Sequence, residues 1–146
     1  MPRCPDNRRP HPAVFPGLQA LGRHQPLWLA VNGHCMSPRL RHGDRVAVLP
    51  APWYWPGDVL ALRAWDGRLL VHRLLGWRWR AGRLEWVTAA DNGPGNDVPV
   101  GRDQILGRVL ATRPARDLLP VAPRDRLRAV ARLTRLAAGR LTARWT

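Results

Sequence analysis

There is no lysine in this chain of 146 residues; all 24 cationic side chains are arginine, against 10 acids, for a net charge of +14. That excludes any mechanism that uses lysine as a general base or Schiff-base former. The bias itself is what a GC-rich coding sequence produces. Serine occurs once, as Ser37, and cysteine twice, as Cys4 and Cys35. Two cysteines without a Cys-x-x-Cys make neither a disulfide framework nor a zinc site. A single Cys4–Cys35 bridge is the one pairing open to them. No apolar run reaches the roughly 18 residues of a spanning helix. The N-terminus is basic but lacks an apolar core of about 7–15 residues, so no secretory signal is expected. Phe and Tyr occur once each.

Tryptophan is abundant instead, with 8 copies. Its ring buries well and its N–H needs a partner, so these side chains are expected at sheet faces and rims. Hydrophobic residues make up 45%, enough for the core of one domain. The charge favours anionic partners and says little about fold.

Residues 1–25 are rich in Pro, Arg and His and read as a disordered basic arm. Residues 26–113 read as a β domain of short strands. "PLWLAVNG" (26–33) runs into a turn, and "DRVAVLPA" (44–51) alternates until its prolines. The stretch 57–90 holds successive strands, with turns at Asp66-Gly67 and Ala81-Gly82. "DNGPGNDVPVG" (91–101) is a loop by composition, and "QILGRVLATR" (104–113) is a last strand. Residues 114–146 read as a linker and an Arg-rich helix. Leu127, Val130, Leu133, Leu136, Leu141 and Trp145 fall at helical spacing behind Pro123. Three readings of that helix stay open: a cover for a sheet edge, an interfacial helix on anionic lipid, or a nucleic-acid contact.

Four segments carry a further signal. "GHCMSPRLRHGD" (33–44) holds Gly33, Met36, Pro38, Leu40, Gly43 and Asp44 in the register of a Gly-x-Ser-Met-x-Pro-x-Leu-x-x-Gly-Asp pattern. "WPGDVLAL", "LLVHRLLG" and "TAADNGPGNDVPV…ILGRV" follow in order. Together they resemble the signal peptidase I family and the related self-cleaving repressor domains, over roughly residues 27–110. The resemblance implies a mainly β fold and puts Cys35 in the nucleophile position, where the family has serine. Ser37 falls in a variable slot. His72 falls at the base position, as in the archaeal and endoplasmic-reticulum form of the family. Asp97 then becomes the orienter of His72, and Asp91 a supporting, loop-ordering acid. Family members often carry a serine two residues before the nucleophile as an oxyanion donor. Here that residue is Gly33, so the second donor is missing or comes from backbone.

The chemistry of such a set is coherent. A thiol near pKa 8.5 loses its proton more readily than a hydroxyl, and an imidazole beside it takes that proton. A carboxylate fixes the imidazole tautomer. Sulfur is larger than oxygen, and misplacement of roughly 1 Å can cost about 100-fold in rate. The expectation is an endopeptidase that binds an extended peptide as an added strand and cleaves after a small residue. The alternative is a non-catalytic peptide- or membrane-binding domain on the same fold. A self-cleaving repressor is disfavoured, because no helix-turn-helix precedes residue 33 and no Ala-Gly cleavage dipeptide precedes the catalytic region. His34 and His42 read as surface residues, with His34 near enough in sequence to touch substrate. No cofactor or metal is expected. The expected partners are a peptide or protein substrate and an anionic membrane surface met through 124–146, with nucleic acid the weaker choice. The expected location is the cytoplasm or the inner membrane surface.

Overall fold

Alternation of apolar and polar residues makes strands, and the turns between them set how they pair. The computed structural model describes residues 11–143. Six strands, β1 (Leu27–Ala30), β2 (Arg45–Leu49), β3 (Val59–Arg63), β4 (Leu69–Arg80), β5 (Arg83–Ala89) and β6 (Ile105–Arg113), form one antiparallel sheet. Their order is β1-β2-β6-β3-β4-β5. The fold is mainly β, as the sequence predicts. The β4–β5 hairpin closes at Ala81-Gly82, with φ values of 50° and 73°. Paired positive φ angles match the strand twist in a two-residue hairpin.

A bulge in β4 decides which side chains share a face. Leu74 pairs with Thr88, but Gly76 pairs with Val87, so Leu75 is the extra residue. Paired residues share a face, and a one-residue insertion switches the alternation. His72 and Leu74 before the bulge therefore share a face with Trp77 and Trp79 after it. That face carries one cluster: Leu60, Leu62, Leu70, Leu74, Trp86 and Ile105, with Tyr54 and Val100. Rings of Trp53, Trp55, Trp77 and Trp86 meet here at centroid distances between 4.8 and 6.5 Å. Trp86 is buried and Trp79 is exposed at the rim. A second cluster joins Met36 and Leu40 to Val46, Val48, Val59, Ala61, Leu106 and Val109.

The C-terminal helix α2 (Pro123–Ala143) packs Ala129, Leu133 and Leu136 on Leu75, Val87 and Ala89. Its first turn presses on Gly57, where φ is +97° and an added Cβ would lie 3.0 Å from the Arg126 Cα. Only glycine suits both the angle and the approach. Trp145 lies outside the described residues.

The loose arm expected over 1–25 gives way in its second half. Val14–Leu21 forms a short helix, α1, which buries Phe15 beside the second cluster. Pro16 and Gly17 read as breakers, but Pro16 sits in the first turn, where a helical N–H has no partner to lose. Cys4 and the rest of 1–10 lie outside the described residues.

Candidate active site

His72 stands on β4 opposite Leu60 of β3, in an apolar surrounding that leaves it 5% exposed. A buried imidazole needs its polar atoms satisfied. Its Nδ1 lies 2.6 Å from Asp97 Oδ2. A carboxylate can only accept, so Nδ1 carries the hydrogen and Nε2 is the nitrogen left to take a proton. Asp97 is held in turn. The Thr88 hydroxyl donates to its Oδ2 at 2.8 Å, and its N–H donates to the Thr88 carbonyl at 2.8 Å. Thr88 shares the His72 face through its pairing with Leu74. Carboxylate and imidazole are thus fixed by one strand, β5, and the loop that leaves it.

Arg73 is the next residue on β4 and points to the opposite face. It is also 5% exposed. Its Nε and Nη2 bind Asp91 at 2.7 and 2.8 Å, and its Nη1 donates to the Gly57 carbonyl at 2.7 Å. The segment 90–97 therefore reaches both faces of β4, with Asp91 on Arg73 and Asp97 on His72. Asp91 joins the start of this loop to Arg73. A charged residue inside the apolar run "LLVHRLL" is the signal that points to Arg73.

Cys35 sits half-buried in the loop 33–44. Met36 is buried behind it at 2% exposure and Leu40 at 0%. Cys35 joins the acid loop through its backbone: its carbonyl accepts from Asn92 N–H at 3.2 Å. The Asn92 side chain donates to the His34 carbonyl. The sulfur of Cys35 is in a disulfide. The Cys4 half of the pairing considered above lies outside the described residues. Gly33 N–H donates to His42 Nδ1 at 3.0 Å, so His42, exposed as expected, also anchors the loop. That N–H is engaged rather than offered to a substrate oxygen.

Helix α2 ties the two loops together, which the sequence did not show. Arg39 of the first loop binds Asp125 of α2 through two bonds of 2.9 Å. The Arg39 hydrogen bonds hold the Asp125 carboxyl below the usual carboxylate range, and Asp125 raises Arg39 in return. Arg132 of α2 donates to the carbonyls of Ala90, Gly93 and Gly95 in the second loop. Arg140 donates to Asn96 Oδ1 at 2.6 Å. Arg132 falls on the same helical stripe as Ala129, Leu133 and Leu136, and a cation on the inward face is the signal that marks it. At the other end of the first loop, hydrogen bonds from Arg116 hold the Asp44 carboxyl below its usual range.

Between the loops and α2 lies a pocket of about 260 Å³, bordered by Ser37, Arg39, Arg73, Asp91, Asp125 and Arg132 among others. A larger pocket of about 520 Å³ lies at β6, away from Cys35, His72 and Asp97. Among the described residues no group of three or more His, Cys, Asp or Glu could hold a metal ion. Compared with known proteins, the chain matches no family model and no curated protein.

Proposed function

We propose that this chain is a signal-peptidase-like endopeptidase that cleaves an extended peptide or leader segment after a small residue, with Cys35 in its thiol form as nucleophile. The observation that carries the reading is the 2.6 Å contact between His72 and Asp97, residues 25 positions apart. The four-segment resemblance supports it, since it assigns those two positions to base and orienter. The disulfide at Cys35 must first be opened by a thiol reductant, which supplies two electrons and two protons and leaves two thiols.

In the reduced site, His72 Nε2 takes the proton of the Cys35 thiol, and the sulfur attacks the scissile carbonyl carbon. Asp97 holds the tautomer and stabilises the imidazolium. The C–N bond breaks as His72 returns the proton to the departing amine. Water then attacks the thioester with its proton passing to His72, the C–S bond breaks, and the thiol re-forms. Strand β1 ends the sheet and runs into the Cys35 loop, so a substrate strand added there would approach the sulfur. A thiol nucleophile suits a reducing compartment, the cytoplasm or the inner membrane surface. Among the described residues no helix is long and apolar enough to cross a membrane.

The test uses the full chain under reducing conditions with peptides that carry alanine before the scissile bond. Wild type should cleave, Cys35→Ala and His72→Ala should not, and Asp97→Asn should be slower by roughly 10²–10⁴-fold, as expected for loss of an orienting carboxylate. Equal cleavage by wild type and Cys35→Ala sinks the proposal. The disulfide at Cys35 favours one other reading, a non-catalytic peptide- or membrane-binding domain on the same fold. On that reading reduction elicits no cleavage, and His72→Ala leaves binding intact.

A further inference from the structure

Helix α2 meets the sheet along one face only. At 100° per residue, Asp125, Ala129, Arg132, Leu133 and Leu136 fall on the inward side. Leu127, Val130, Thr134, Ala137 and Leu141 form a second stripe that faces away. Leu127 is 71% exposed, Val130 46% and Leu141 63%. On the flank between that stripe and the inward side runs a line of cations, Arg124, Arg128 and Arg135, spaced four and seven residues apart, all exposed, with Arg128 also bordering the 260 Å³ pocket. Two of them have acids only at the limit of ion pairing. Arg124 is 4.0 Å from Asp117, which is itself 99% exposed, and Arg128 is 3.9 Å from Asp125, already bound by Arg39. From 124 to 146 the chain carries 7 arginines and one acid.

We infer that this outward face of α2 docks the protein on an anionic lipid surface. The arrangement fits that partner in two respects. Phosphate headgroups complement the arginine line, and the adjoining leucine and valine side chains enter the acyl boundary below it. A nucleic acid would use the arginines but offers nothing to three exposed aliphatic side chains in a row. A second copy of the chain would cover the stripe, but it would bring like charge against like charge in a molecule of net charge +14. The inward face of the same helix holds the two loops of the candidate site through Asp125, Arg132 and Arg140. A bilayer under α2 would therefore lie beside that site. The inference does not depend on whether the site cleaves peptides.

The experiment is co-sedimentation of the full chain with vesicles of phosphatidylcholine alone or mixed with phosphatidylglycerol, at low and high salt. The protein should bind the anionic vesicles, release at high salt and ignore the neutral ones. Replacing Arg124, Arg128 and Arg135 together by Gln should weaken binding about 100-fold, at roughly fivefold per cation near the surface. Replacing Leu127, Val130 and Leu141 together by Ser should weaken vesicle binding about tenfold or more, and leave binding to a short DNA duplex unchanged. All six positions are exposed, so both variants should keep the wild-type circular dichroism and melting midpoint. No binding to the anionic vesicles overturns the inference. So does vesicle binding indifferent to the aliphatic triple substitution, which would leave simple charge attraction to any polyanion.

Discussion

Two loops bring residues to the candidate site, and they are held in different ways. The loop 33–44 is seated from below: Met36 and Leu40 are buried in the cluster under β2 and β3, and Asp44 is 3% exposed. The loop 90–97 has no buried apolar residue between 91 and 97. It is held by groups from elsewhere: Arg73 on Asp91, His72 and Thr88 on Asp97, Arg132 on three carbonyls and Arg140 on Asn96. Burial of aliphatic side chains is non-directional. Hydrogen bonds to carbonyls and carboxylates fix direction, which a residue that must orient an imidazole needs. The loop 33–44 is seated by packing and tied further by the ion pairs of Arg39 and Asp44, whereas the loop 90–97 is held by polar contacts.

The largest effect should come from removing the packing. Leu40→Ala should cost about 3 kcal/mol of stability, as buried leucine truncations do. The measure is the denaturant midpoint, and hydrogen exchange should rise across both loops and the sheet because the whole cluster loosens. A smaller and more local effect should follow Arg132→Ala. It removes charge-assisted hydrogen bonds from a half-buried side chain, for a loss of about 1–2 kcal/mol. Exchange should accelerate over 90–97 and not over 33–44. Equal acceleration of both loops would erase the distinction drawn between them.

The smallest effect concerns acid. Asp44 and Asp125 both have carboxyl groups held below the usual range by arginine. Above about pH 4 both states of the chain are ionised and the full benefit is present. As pH falls below about 4, the unfolded chain takes up protons first, and stability is lost down to the folded values. A melting midpoint followed from pH 5 to pH 3 should fall, and Asp125→Asn should flatten part of that slope. An unchanged slope would show that the Arg39–Asp125 bond contributes nothing to tying the first loop to α2.

Much of this molecule was legible in the sequence. The strands were visible because half-buried strands alternate, and the turns because Asp-Gly and Ala-Gly suit hairpins. The helix at the C-terminus was visible from its spacing. Helix α1 was not, because Pro16 and Gly17 weigh against a helix in isolation and the burial of Phe15 is a tertiary gain. Within the site, His72 and Asp97 came from pattern resemblance, and the structure puts their side chains in contact. Arg73, Thr88 and Arg132 were missed, because what makes each important is a partner far along the chain. The state of the Cys35 sulfur was beyond composition as well: two cysteines allow a bridge without requiring one.

The sequence by itself determined that no lysine could act, that the domain would be mainly β, and that a cationic helix would end it. Those follow from residue type and local period. Only the tertiary structure decided that one helix holds both loops with its inward side and leaves leucine and arginine side chains exposed elsewhere. It also decided that neighbouring residues His72 and Arg73 would serve different acids of one loop. Alternation on a strand sends adjacent side chains to opposite faces, and only the folded path of the loop shows which acid each one meets.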